Sequence, residues 1–227
     1  PLLADLWLKR HIREGRGNQI ALAEPDRLWT YSQLNHEVEE KAQLLSEMRI
    51  HGDSVVCLCL KNFGQFVVYA LATLVKQSLL FPIYDKMGKA DFDYAIRSVR
   101  PDLIVGLPGR VSWSSMGHYD LAHRRDSTVD PIILRNSVES AHGERLRQLR
   151  YRENPALIFE SSGSTGNAKF FLHFPSGILG TVRAFSKHSL FLNKRTRIGT
   201  NAPLCWSYGF AAGMAVPFSY GIPSCIW

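Results

Sequence analysis

Short apolar runs alternate with longer stretches in which apolar positions recur at helical spacing, and this alternation predicts strands interleaved with helices. A helix-like opening over residues 2–14 leads through Gly15-Arg16-Gly17-Asn18, a turn, into a short apolar strand at 20–23. Thr30-Tyr31-Ser32-Gln33 has the form of a capping box, and the helix it starts carries Leu34, Val38, Ala42 and Leu45 near one face. Further on come a strand at 55–60, an apolar and therefore buried helix at 66–75, and a strand at 78–83 whose proline points it toward a sheet edge. A helix at 90–99, stopped by Pro101, precedes a strand at 103–107. Residues 108–154 weaken into polar, Arg- and Ser-rich sequence with one short strand candidate at 131–134, and read as an irregular excursion. Strands alternating with helices predict right-handed crossovers and an α/β fold of mostly parallel sheets flanked by helices.

The most informative stretch is Leu157-Ile158-Phe159-Glu160-Ser161-Ser162-Gly163-Ser164-Thr165-Gly166-Asn167-Ala168-Lys169. An apolar strand ends in a loop of glycines and small hydroxyl residues, and the loop closes on a lysine. Glycines let backbone N–H groups turn inward toward a polyanion, the hydroxyls add donors, and Lys169 adds a mobile positive charge. These are the parts needed to hold nucleotide phosphates. A Gly/Ser linker would have the same composition but no need of the strand before or the lysine after. The spacing is not that of a Walker A loop, since two residues separate Gly166 from Lys169 and Phe170 follows it. Beyond the loop, residues 170–173 read as extended and Ser176 as the cap of a helix running to about residue 187. The stretch Ala202-Pro203-Leu204-Cys205-Trp206-Ser207-Tyr208-Gly209-Phe210 reads as a strand end, a turn and the entry to a buried helix over 211–218.

Composition narrows the classes. At 227 residues, 45% hydrophobic and 21% charged, the chain is long enough to bury a core and has an ordinary globular balance. The net charge of +7 comes from scattered basic residues without interleaved aromatics, which argues against nucleic acid as a partner. No run approaches membrane-spanning length and no signal peptide is visible, so a cytoplasmic protein with no membrane partner is expected. Four cysteines are too few for a disulfide scaffold; Cys57 and Cys59 share one face of a strand at a spacing poor for zinc, and read as buried, reduced thiols. Paired metal ligands, a nucleophile triad and the Gly-x-Ser-x-Gly elbow are absent from the pattern, so no metal site is assigned. Pro1 is not an initiator methionine and Trp227 interrupts a strand-like stretch, as expected of a segment of a longer protein.

The loop resembles the phosphate-binding motif of the adenylate-forming (ANL) superfamily of acyl- and aryl-CoA synthetases, adenylation domains and luciferases. It matches Thr/Ser-Ser-Gly-Thr/Ser-Thr-Gly-x-Pro-Lys-Gly through Gly166 and at Lys169, and departs at Ala168 and Phe170. Trp29-Thr30-Tyr31-Ser32-Gln33-Leu34 is similar to the superfamily's Tyr-Thr-Tyr-x-Glu-Leu entry helix. Leu74 to Pro82 is similar to its Leu-Lys-Ala-Gly-x-x-x-x-Pro, with Gln77-Ser78 in place of Ala-Gly. Pro203-Leu204-Cys205-Trp206 resembles the start of Pro-Leu-Phe-His-x-x-Gly, and Glu14 to Asn18 together with Tyr208-Gly209 resemble benzoate-CoA-ligase-like members.

This resemblance implies the first part of the large N-terminal domain of an adenylate-forming enzyme. The first α/β subdomain would span 1–107, and the phosphate loop and acid-pocket segment 155–227, with the C-terminal domain absent. Ser161, Ser162, Gly163, Ser164, Thr165, Gly166 and Lys169 would hold the phosphates of ATP, with Thr165 and Lys169 assisting catalysis. Trp206, Ser207, Tyr208, Gly209 and His173 would shape the pocket for an aryl or small acyl acid, with Gly209 leaving room for a ring. The implied reaction joins the acid to AMP from Mg2+-bound ATP and passes the acyl group to the thiol of CoA or of a carrier protein's phosphopantetheine. The motifs that would serve magnesium, ribose and the C-terminal lysine lie outside this sequence, so the segment alone is expected to be inactive. The alternative is a degenerate, non-catalytic adenylation fold used for binding or scaffolding, and Phe170, Ala168 and Gln77-Ser78 are the features that favour it.

Overall fold

A computed structural model of the chain describes residues 3–106, 119–123, 131–136, 154–161, 168–193 and 195–227. The elements arise as the apolar pattern dictates. After an irregular helical start that includes Asp5–Lys9 and Ile12–Arg16, strands β1 (Ile20–Glu24) and β2 (Arg27–Thr30) form a hairpin. Helix α1 (Tyr31–Glu47) begins at an extended Thr30, whose Oγ1 accepts from the Gln33 amide while Gln33 Oε1 accepts from the Thr30 amide. Such a reciprocal cap contributes about 1 kcal/mol. Its buried face consists of Tyr31, Leu34, Val38, Ala42 and Leu45.

Strand β3 (Val55–Cys59) is buried on both faces: Val56 and Leu58 join one core, while Val55, Cys57 and Cys59 join the other. A strand covered by helices on both sides reads as a continuous apolar run for this reason. All four cysteines are free thiols, and burial holds the Cys57 thiol well above its usual pKa. Helix α2 (Gly64–Val75) is apolar except at Gln65 and Thr73 and is buried over nearly its whole length.

Strands β4 (Leu79–Pro82), β5 (Leu103–Gly106), β6 (Tyr119–His123), β7 (Ile132–Asn136), β8 (Leu157–Ser161) and β9 (Lys169–His173) complete a seven-stranded sheet of order β6-β7-β5-β3-β4-β8-β9. Its centre, β5-β3-β4-β8, is parallel and its outer pairs are antiparallel. Helix α3 (Lys89–Val99) makes the crossover from β4 to β5, ending at a left-handed Arg100. Helix α4 (Pro175–Phe185) follows β9. A second sheet, β10-β11-β1-β2, pairs the start of the chain with its end: β11 (Ser224–Ile226) lies parallel to both β1 and β10 (Ile198–Thr200). Between β10 and β11, α5 (Ser207–Phe210) runs on through Ala211–Ala215 into α6 (Val216–Tyr220).

Three sequence expectations are corrected. Strand β4 is interior, not at an edge. The amide of Leu80 donates to the Ala156 carbonyl, but the strand pairing with β8 is confined to the Leu80–Leu157 register, so the N–H that Pro82 lacks falls where no pairing with β8 continues. The stretch read as an irregular excursion with one strand candidate at 131–134 contains that strand as β7, paired along β5, and a second strand, β6, paired along β7. Helix α4 starts with Phe174 as its N-cap and Pro175 in its first turn, ahead of the expected Ser176 cap.

The helical N-terminus braces the end of the chain. Trp7 Nε1 donates to Ser219 Oγ at 2.8 Å and Arg10 Nη2 to the Ser219 carbonyl at 2.7 Å. His11, fully buried, contacts the Phe218 carbonyl through Nε2 at 2.6 Å and lies 4.6 Å from the Tyr31 ring. Against a carbonyl, Nε2 must carry the proton. Burial lowers the His11 pKa below its ordinary 6.5; the Phe218 hydrogen bond opposes this, and Arg16 and Arg10 reinforce it. The unfolded chain therefore takes up this proton first as pH falls. The stabilisation from neutral His11 is present above about pH 6.5 and is lost progressively below it. Thermal unfolding followed from pH 7.5 to pH 5 is expected to show a falling midpoint whose slope is shallower in His11→Gln. Parallel profiles for the two proteins would contradict this.

Candidate functional site

The site is built on a hairpin. Strands β8 and β9 pair antiparallel with Leu157 opposite His173, Phe159 opposite Phe171 and Ser161 opposite Lys169. Because side chains alternate along a strand, these six residues share one face. Leu157 and Phe159 enter the larger core on that face, whereas Ile158, Phe170 and Leu172 belong to the core on the other. Ser161 and Lys169 thus stand at the open end of the hairpin, and His173 lies about 13 Å along the strand from Lys169 at the usual rise per residue. The Tyr94 hydroxyl donates to the Ala168 carbonyl at 3.3 Å and ties the descending end of the loop to α3. Residues 162–167, which carry the expected phosphate ligands Ser162, Gly163, Ser164, Thr165 and Gly166, lie outside the described residues.

Phe170, the residue that departs from the motif glycine, packs edge-on against Phe81 at 5.6 Å and alongside Tyr94 at 6.2 Å. Its bulk is absorbed by the opposite core. It does not share the face that bears Lys169.

A cavity of about 360 Å³ opens on the hairpin's Lys169 face. Leu157, Phe159 and His173 form its floor, Ile178, Thr181, Val182 and Phe185 of α4 one wall, and Ser207, Tyr208 and Phe210 of α5 another. Phe159 meets His173 edge-on at 5.2 Å and Phe210 at 5.6 Å. These edge-to-face contacts make a stiff, mostly apolar lining with few polar groups, the form of a small-molecule site. Burial lowers the His173 pKa, so the imidazole is neutral at pH 7 and acts as a polar wall rather than a cation. Cys205 is buried and its thiol is pushed up to about 12, which leaves it inert as a nucleophile.

Of the residues expected to form the acid pocket, the cavity brings together His173, Ser207 and Tyr208. Trp206 is not in its lining; it is 54% exposed and packs on Tyr84 at 5.6 Å, at the N-terminus of α5. Gly209 is also absent from the lining. A Cβ there would overlap the Pro203 carbonyl, so glycine is required for α5 to settle on the backbone that precedes it. The α4 wall escaped the sequence reading, although Ile178, Val182 and Phe185 recur at helical spacing and mark one face of that helix. Among the described residues no group of three His, Cys, Asp or Glu side chains converges as a metal site, and no helix is long and apolar enough to cross a membrane.

Comparison with known proteins places these features. The family model for AMP-binding enzymes matches residues 8–227. The chain is 20% identical over 235 residues to 4-hydroxybenzoate--CoA/benzoate--CoA ligase of Rhodopseudomonas palustris, covering 97% of this chain and 42% of that protein. It is 22% identical over 209 residues to acetyl-coenzyme A synthetase of Streptomyces avermitilis, covering 80% of this chain and 32% of that protein. Among solved structures, the anthranilate CoA ligase AuaEII in complex with anthranoyl-AMP superimposes with a TM-score of 0.77 at 18% identity, over 100% of this chain and 45% of that one. The o-succinylbenzoate CoA synthetase MenE of Bacillus subtilis in complex with OSB-AMP gives 0.76 at 14% identity, over 97% and 43%. The chain spans less than half the length of each of these relatives. With the family model matched over nearly its whole length, the chain belongs to the AMP-binding enzyme family.

Proposed function

We propose that this chain supplies the phosphate loop and the acid pocket of an enzyme that activates a carboxylic acid with ATP. The observation that carries the reading is the hairpin: one strand pair sets Ser161 and Lys169, at the ends of the glycine-rich loop, on the same face as the apolar cavity. An acid held in the cavity presents its carboxylate toward that end. A carboxylate oxygen attacks the α-phosphorus of ATP, the bond to the β-phosphate oxygen breaks, and acyl-adenylate and pyrophosphate form. Magnesium arrives with the phosphates of ATP as part of that substrate. Lys169 offsets the charge gathering on pyrophosphate, and the hydroxyls and amides of the loop, Thr165 included, orient the phosphates. A thiol from CoA or a carrier protein's phosphopantetheine then attacks the acyl carbon and expels AMP.

Cavity size and lining support a small, flat acid. About 360 Å³ is at the small end of ligand clefts, and the Phe159, Phe210 and Tyr208 rings suit stacked or edge-on contact with an aryl group. Its AMP-binding relatives include a benzoate--CoA ligase and an anthranilate CoA ligase, which is consistent with this class. The scaffold alternative loses its main argument, because the Phe170 ring lies in the opposite core rather than over the loop lysine.

Acid-dependent exchange of pyrophosphate into ATP, measured on the whole protein with aryl and short acyl acids, is expected to select one acid class. Lys169→Ala is expected to lower that exchange by about 100-fold, the scale of a lost transition-state charge contact. No exchange with any acid, from a folded protein that also fails to bind ATP, would overturn the reading. His173→Ala is expected to raise the KM for the acid by roughly tenfold, through the lost wall contact with Phe159, while leaving the KM for ATP unchanged. A change confined to ATP would place His173 outside the acid pocket.

A further inference from the structure

Among the described residues, the segment that introduces α5 belongs to neither sheet, yet its position is fixed from another part of the chain. Asn62 follows β3 at the carboxyl end of the parallel strands, the side on which open α/β sheets hold their ligands. Its Nδ2 donates to the Ala202 carbonyl at 3.0 Å, and its Oδ1 accepts from the Leu204 amide at 2.8 Å. One carboxamide therefore satisfies both backbone groups that flank Pro203, as a neighbouring strand would. Only one orientation of the amide meets both partners.

Pro203, held between these two anchors, determines where α5 begins. Its carbonyl accepts from the Trp206 amide at 3.0 Å, and the Trp206 carbonyl in turn accepts from Phe210 at 2.8 Å. Gly209 packs against the Pro203 carbonyl, which leaves no room for a Cβ there. The Trp206 ring meets Tyr84, just beyond the end of β4, and provides a second attachment to the sheet. Ser207 and Tyr208, one and two residues after Trp206, are then delivered to the cavity. Asn62 is not in the cavity lining.

We propose that Asn62 is a positioning residue for the acid pocket, setting the wall formed by α5 from 140 residues upstream through the Ala202–Leu204 backbone. The proposal rests on the adenylation reading above and adds to it a residue that touches neither acid nor ATP. A displaced α5 changes the fit of the acid but not the loop that holds the phosphates, so the loss falls on one substrate.

The test uses the whole protein with Asn62→Ala and Asn62→Asp, the second keeping an acceptor for the Leu204 amide while losing the donor to Ala202. Pyrophosphate exchange is expected to show the KM for the acid raised about tenfold in Asn62→Ala and by less in Asn62→Asp, with the KM for ATP within about twofold of the parent. Hydrogen exchange is expected to show the Leu204 amide losing protection in Asn62→Ala and largely keeping it in Asn62→Asp. An unchanged KM for the acid in both variants, or equal rises for acid and ATP, overturns the proposal. If the parent protein shows no exchange, the adenylation reading fails by itself. The clamp is then decided by the Leu204 amide, whose unchanged protection in Asn62→Ala overturns it.

Discussion

Because β9 returns along β8 in a single register, the two residues that flank the loop between them, Ser161 and Lys169, are fixed opposite each other. Ser161 opposite Lys169 closes the loop, and Leu157 opposite His173 closes the cavity, two turns of the pleat further along the same face. A slip of one residue would carry Lys169 and His173 to the other face and bring Phe170 onto this one. The register is protected against such a slip by the partition of apolar residues between two cores. Leu157 and Phe159 are buried on one side, while Ile158 is buried with Phe170 and Leu172 against it on the other. The departure from the motif at Phe170 is best understood here: an aromatic ring at that position helps to lock the hairpin rather than to block the loop.

The walls of the cavity depend on more distant contacts. Helix α5 leads without a break into α6, and α6 is held by Trp7, Arg10 and His11 from the opposite end of the chain. Pairing of β11 with β1 adds backbone hydrogen bonds to the same junction. The first and last parts of the sequence are thus required together before the cavity has its α5 wall. The Asn62 contacts extend this pattern, since they reach the segment before α5 from the end of a strand laid down much earlier in the chain.

Much of the fold could be read from local pattern. The Thr30–Gln33 cap, the buried face of α1, the continuous apolar run of β3 and the strand leading to the glycine-rich loop all carry short-range signals of spacing or capping chemistry, and each is present. What was not legible depends on partners far away in sequence. The strand candidate at 131–134 corresponds to β7, but β6 was missed, because its pairing along β7 rather than a marked periodicity of its own makes it a strand. Pro82 suggested an edge because the sequence does not reveal where β8 diverges from β4. At the site, motif resemblance singled out His173, Ser207 and Tyr208, which line one cavity, and Gly209, which packs against the Pro203 carbonyl. A glycine that admits a ligand and one that admits the Pro203 carbonyl look the same in sequence.

The central claim is that the cavity between the hairpin, α4 and α5 receives the acid while the loop ends receive the phosphates. A crystal structure of the whole protein with a non-hydrolysable acyl-adenylate analogue tests this most directly. The account predicts the acyl group inside the cavity against Phe159, His173 and Tyr208, with the phosphate mimic at the Ser161 and Lys169 end of the hairpin. An acyl group bound elsewhere, with the cavity still open beside it, would contradict the account.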